Sequence, residues 1–159
     1  MRKVIANTTP LIALANIDKL ELLHQLYSEI IIPQAVMDEI ISEPARSKVQ
    51  ASDWIRVERI TDYSQKDMYR SRLHEGEVEV MILAKEEKAD LVILDDNAAK
   101  KTAKFFGLTV TGTLGIILKA KKEGYIDSAN NVLNELIMDG FYISENVRNY
   151  VLKEAGENA

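Results

Sequence analysis

Oxygen-bearing side chains stand at the ends of this chain's apolar runs. Asn7 follows "VIA", Glu39 lies in "AVMDEI", Glu77 in "HEGEVEVMILA", and Asp95-Asp96 follow "LVIL". Gathered together, such groups would hold a hard divalent cation. Magnesium takes oxygen ligands and keeps several waters, so a few carboxylates suffice. Two such ions about 4 Å apart can activate water, bind a phosphate and stabilise a leaving oxygen. Other site chemistries find little here. The absence of Cys excludes thiolate zinc sites, cysteine nucleophiles and disulfides. His24 and His74 lie far apart and lack ligand spacing. "GTLG" at 112–115 lacks the lysine of a Walker phosphate loop.

The elements that must position these groups alternate strand and helix. Residues 3–6 read as a short buried strand. Polar Asn7-Thr8-Thr9-Pro10 then turns into a helix, with Thr8 or Thr9 as N-cap and Pro10 as first helical residue. Leu20, Leu23 and Leu26 give 19–27 a helical face. Residues 29–32 read as a strand. A helix over 33–42 follows, with Val36, Ile40 and Ile41 facing the core, and Pro44 ends it. Residues 45–52 are polar and carry no clear assignment. Residues 54–60 read as a strand with Trp54 partly exposed, and 62–72 as a charged loop or short helix. A helix over 75–87 places Val78, Met81, Ile82 and Lys85 in step. Residues 90–94 are the clearest buried strand. A helix over 97–106 is closed by Gly107, a short strand covers 109–110, and a helix over 111–123 is closed by Gly124. Ser128 and Ser144 suit the N-caps of two last helices, 128–138 and 144–154.

Continuous apolar strands alternating with helices predict an α/β fold, a parallel sheet covered on both faces. Ligands of such sheets sit beyond the carboxyl ends of the strands. Asn7, Asp95-Asp96 and Thr111–Thr113 would meet there. Glu39 would join them from the helix after the second strand, with Asp38 facing water, and Glu77 from the first turn of the central helix.

Length and composition bound the answer. The chain of 159 residues is 47% apolar and carries a net charge of -5. That suits one folded domain over 1–159, with C-terminal helices from about residue 125. The acidic balance argues against a non-specific nucleic-acid coat. It leaves room for a nuclease, whose acidic site must itself hold cations. Neither part of the split opening run approaches a membrane span, and the split does not suit a secretory leader. The expectation is a cytoplasmic protein with no membrane partner.

"VIANTTPLIALANIDKLELL", "IIIPQAVMDEI", "EGEVEVMILAKE" and "LVILDDNAAKKTAKFFGLTVTGTLGIILKAKKEG" resemble the PIN-domain family in motif order and spacing, from about Val4 to Gly124. More narrowly they resemble the prokaryotic branch related to VapC-type toxins. The resemblance implies a three-layer α/β/α fold and a ribonuclease that uses Mg2+ or Mn2+ to hydrolyse phosphodiesters. It places catalytic carboxylates at Glu39, Glu77 and Asp95, and metal ligands at Asn7, Glu39, Glu77, Asp95 and Asp96. Thr8 or Thr9, Thr113 and Lys100 fall on the substrate edge. RNA, an antitoxin-type protein partner and a homodimer are the implied partners.

Each residue also has a plainer reading. Asn7 suits a turn, Asp95-Asp96 an N-cap, Glu39 a solvated helix position, and Glu77 a favourable place in the helix dipole. Lys100, Lys101 and Lys104, with Lys119, Lys121 and Lys122, suit either a solvated face or a phosphate-contacting rim. Aromatics are few, so no stacking platform is evident. Asn7 stands where the family pattern has an acid, and its amide oxygen carries no charge. The alternative function is therefore a catalytically weak PIN-like module that binds nucleic acid or protein.

Overall fold

The computed structural model describes residues 2–70 and 73–157. β1 (Val4–Ala6), β2 (Ile30–Pro33) and β4 (Leu91–Ile93) are buried throughout. Their apolar runs have no polar face because the sheet has no solvated side. β3 (Ile55–Glu58) and β5 (Val110–Thr111) are more exposed and close the two edges. All five strands are parallel, in the order β3-β2-β1-β4-β5. Ile5 sits between Ile31 and Val92 in the register. Helices cover both faces, which gives the three-layer α/β/α architecture expected from the sequence.

The strand order places the functional edge. The chain builds outward from β1 to β2 and β3, then returns to lay β4 on the other side of β1. The connections after β1 and β4 therefore diverge, and a crevice opens beyond those two strand ends.

After β1 come α1 (Thr8–Asn16) and α2 (Glu21–Tyr27), and after β2 come α3 (Gln34–Glu39) and α4 (Ala45–Ala51). A 3-10 turn and α5 (Lys66–Arg70) lead into α6 (Glu75–Glu87). The rest are α7 (Asn97–Phe105), α8 (Thr113–Lys122), α9 (Ala129–Met138) and α10 (Glu145–Glu154). α3 packs on α6, and α8 on α1 and α2. Among the described residues no helix is long and apolar enough to cross a membrane.

Several local expectations need correction. The N-cap of α1 is Asn7, not Thr8 or Thr9, and Pro10 is the third helical residue. Proline is tolerated there because the first turn's N–H groups have no partner inside the helix. α3 ends at Glu39 rather than 42, and Ile41 is 81% exposed instead of facing the core. The Arg46 guanidinium takes the carbonyls of Met37 (3.1 Å) and Ile40 (2.8 Å), which stops the helix there. The polar stretch after Pro44 is helical, as α4. β5 runs one residue later than expected, and α8 begins only at Thr113, after an extended Gly112. The central helix α6 has the predicted bounds, but Gly76–Ala84 are all buried, not one face alone. A helix wrapped on all sides shows little amphipathic signal.

The C-terminal helices are tied back through one carboxylate. Glu157 accepts from the amides of Ala129 (2.7 Å) and Asn130 (3.1 Å), satisfying the first turn of α9, and pairs with Lys121 (3.2 Å).

Candidate functional site

Asn7 is the first residue beyond β1. Its amide donates to the carbonyl of Ile93 (2.9 Å) and so locks the ends of β1 and β4 together. Its side chain is 5% exposed, and its Oδ1 is buried without a hydrogen-bond partner. An asparagine used as a turn former or N-cap spends that oxygen on nearby backbone, and Asn7 makes no such bond. Leaving a buried acceptor unsatisfied costs roughly 1–3 kcal/mol. Among the described residues no protein group donates to this oxygen.

Glu39 ends α3 and reaches two other elements. It accepts from Thr8 Oγ1 (2.8 Å) at the start of α1 and from the Gly76 amide (2.9 Å) at the start of α6. Glu77 is the third residue of α6, 5% exposed, and accepts the His74 amide (3.0 Å), one half of a capping box. His74 is therefore the N-cap of that helix. Burial holds the Glu77 carboxyl above the usual glutamate range. The His74 amide and the charge of His74 partly oppose this, while the negative charges of Asp96 and Glu39 add to it.

Across the crevice, Asp95 accepts from both the amide (2.8 Å) and the hydroxyl (2.6 Å) of Thr113, joining the end of β4 to the start of α8. A Cβ on Gly112 would lie 2.7 Å from Asp95 Oδ1 and 3.1 Å from the Lys100 ammonium. Asp96 caps α7 through the Ala99 amide (2.9 Å). That is the N-cap role open to the Asp95-Asp96 pair from sequence, and Asp96 alone fills it.

Hydrogen bonds tie Thr8, Glu39 and Gly76 together and Asp95 to Thr113, the charges of Asp96 and Glu39 act on Glu77, and Asn7 joins the ends of β1 and β4. Thr9 does not join them: it opens onto a separate cavity with Ile12, Asn16 and Leu136. Lys119 and Lys121 do not rim the acids either. They sit near the far end of α8, over the Tyr27 ring (4.8 Å) and against Glu157 (3.2 Å).

Among the described residues, Glu39, Glu77, Asp95 and Asp96 form no ion pair. No three His, Asp or Glu side chains of those residues close to metal-ligand spacing. Each carboxylate is anchored by its own hydrogen bonds, and like charges repel. The donor set is all oxygen, uncompensated, and includes the orphaned Asn7 Oδ1. In kind it fits a hard divalent cation.

Sequence reasoning did not single out Gly76. A Cβ there would overlap the Glu39 carboxylate. Its signal was a glycine inside the first turn of a helical pattern, which marks close approach by another group.

A family model described as a PIN domain matches residues 3–157. No curated protein matches the chain.

Proposed function

The chain belongs to the PIN-domain family, and from that premise we propose that it is a divalent-metal-dependent ribonuclease. The buried, unpartnered Oδ1 of Asn7 at the junction of β1 and β4 carries this reading. A buried oxygen without a protein donor, at the strand ends that Glu39, Glu77 and Asp95 follow in chain order, would gain a partner when a cation binds. Asn7, Glu39, Glu77 and Asp95 would hold the ion, with Asp96 beside them. When bound, Mg2+ or Mn2+ supplies Lewis-acid stabilisation of the charge that develops on a phosphodiester.

The chain's own residues do the positioning. Thr8 and the Gly76 amide fix the Glu39 carboxylate, and Thr113 fixes that of Asp95. Burial holds the Glu77 carboxyl above the usual glutamate range, and a bound cation would favour its ionised form. Lys100 brings positive charge to the rim where an RNA phosphate would pass. One domain spans 1–159 in this reading. It acts in the cytoplasm like the VapC-type nucleases, as a homodimer with an antitoxin-type partner. Exposed Ile137 and Met138 on α9 and Tyr150 on α10 are apolar surface for such contacts.

A second reading is binding without cleavage, and Asn7 favours it. A carboxylate about 4 Å from an ion contributes roughly 4 kcal/mol per unit charge at an effective dielectric of 20, before desolvation. The neutral amide forgoes that. The test is cleavage of a labelled RNA in Mg2+, in Mn2+ and in EDTA by wild type and Asp95→Asn. Hydrolysis that needs the ion and is lost in the variant supports the nuclease. Cleavage unaffected by EDTA, or kept at the wild-type level by Asp95→Asn, would overturn it.

A further inference from the structure

Asp95 also forms part of the wall of a cavity of about 310 Å³ between α7, the start of α8 and the α9–α10 connector. That is the lower end of the size range of small-molecule sites. Its lining includes Lys100 and Asn97 from α7, and Phe141, Tyr142 and Val147 from the C-terminal segment. Tyr142 is 85% exposed.

The loop that carries this ring is anchored. Phe141 N donates to Leu136 O (2.9 Å), and Ser144 Oγ accepts from the Val147 amide (3.2 Å) to cap α10. Gly140, at φ +94°, makes the turn that ends α9 just before Phe141. An aromatic ring held out in water on a fixed loop adds nothing to the core. Beside an acid, an ammonium and an amide it has the parts of a nucleotide site. The ring offers a stacking face to a base, Asn97 can bond a base edge, and Lys100 attracts a phosphate.

We propose that this cavity seats the nucleotide next to the scissile phosphodiester of a single-stranded RNA, its base against Tyr142 and its phosphate toward Lys100. This rests on the ribonuclease reading, because Asp95 is the wall shared with the acidic crevice. An apolar peptide is the poorer match, since it would bury Asp95, Lys100 and Asn97 of the lining without partners. A base pair inside a duplex is a poorer match too, because both of its faces are already stacked.

The test is fluorescence anisotropy with a short 5′-labelled single-stranded RNA in EDTA, where binding is read apart from cleavage. Tyr142→Ala should weaken binding about tenfold, and Tyr142→Phe, which keeps the ring, should restore it. A blunt duplex of the same sequence should bind less well and ignore the substitution. Because Tyr142 is exposed, the melting temperature should not move, so the loss is one of contact. Unchanged RNA affinity in Tyr142→Ala overturns the proposal. So does a duplex that binds equally well. If that variant keeps its RNA affinity but loses a homodimer in light scattering, the face is an interface between copies and the proposal falls. Binding that depends on Tyr142 in a protein that cleaves nothing sinks the hydrolytic reading and leaves the subsite standing. Cleavage with full affinity in Tyr142→Ala does the reverse.

Discussion

Glu39 occupies the space that a side chain on residue 76 would need: its Oε2 accepts the Gly76 amide at 2.9 Å, and a Cβ there would overlap the carboxylate. Gly76 lies in a helix, where alanine is ordinarily better by about 1 kcal/mol. Here the sign reverses. Gly76→Ala must turn the end of the Glu39 side chain away from the Gly76 amide and the Thr8 hydroxyl, and losing those charge-assisted bonds costs roughly 1–3 kcal/mol. Thermal unfolding should show a loss of about 3–10 °C. A variant as stable as wild type would mean that Glu39 moves aside freely and is not a fixed part of the crevice.

Asn7→Asp adds one negative charge at the junction of β1 and β4. Without divalent ions the variant should melt lower, through repulsion among carboxylates. With Mg2+ it should bind the ion more tightly and cleave RNA faster than wild type. Calorimetric Mg2+ titration and a cleavage assay read the two effects. Equal ion affinity in both proteins would remove Asn7 from the proposed ligand set.

Millimolar Mn2+ should raise the melting temperature of wild type, since a ligand that binds only the folded state stabilises it by mass action, by about 2.7 kcal/mol at a hundred times Kd. Asp95→Asn should shrink that gain. Scanning calorimetry in EDTA and in Mn2+ decides it, and an identical gain in the two proteins would place the ion elsewhere.

Glu157 supplies a pH dependence. Burial alone would raise its pKa. The amides of Asn130 and Ala129, with the Lys121 ammonium, outweigh that and hold it below the ordinary glutamate value. A lowered pKa means that the folded state binds fewer protons, so its contribution is present above the unfolded value of about 4.3 and fades as pH falls through the folded one. Glu157→Gln should therefore cost about 1 kcal/mol at neutral pH, as the loss of a cap does. The gap to wild type should close as pH drops below about 4. A gap that stays constant across the series would show that charge plays no part in holding α9.

How much of this was legible before the fold is clearest at α6. Its bounds, 75–87, agree with the structure because Val78, Met81, Ile82 and Lys85 fall in step within a few neighbouring residues, although the buried helix has no polar face. The strands were legible for the same reason: "VIA", "III" and "LVI" are apolar without alternation, and only a sheet covered on both faces suits them. Motif order sufficed to bring the chain to the PIN family.

Glu77 and Glu79 mark the limit. They stand two residues apart in one helix, and both are buried. Glu79 accepts the Ala35 amide (3.0 Å) and pairs with Lys66 (3.0 Å), so it is a structural tie that caps α3 from a neighbouring helix. Glu77 makes no such tie across helices: burial first, and then the charges of Asp96 and Glu39, hold its carboxyl above the usual glutamate range. The N-cap of α1 was misplaced on similar grounds, since the Thr8 hydroxyl serves Glu39, 31 positions away. Tyr142 and Asp95 line one cavity only because α9 and α10 pack on α8. Helix period, strand pattern and capping residues act over one or two turns of chain, so they can be read in order along it. The partner of a carboxylate is set by which helix ends the sheet order brings together, and hydrogen bonds spanning 31, 37 and 44 positions exist only once that packing has formed.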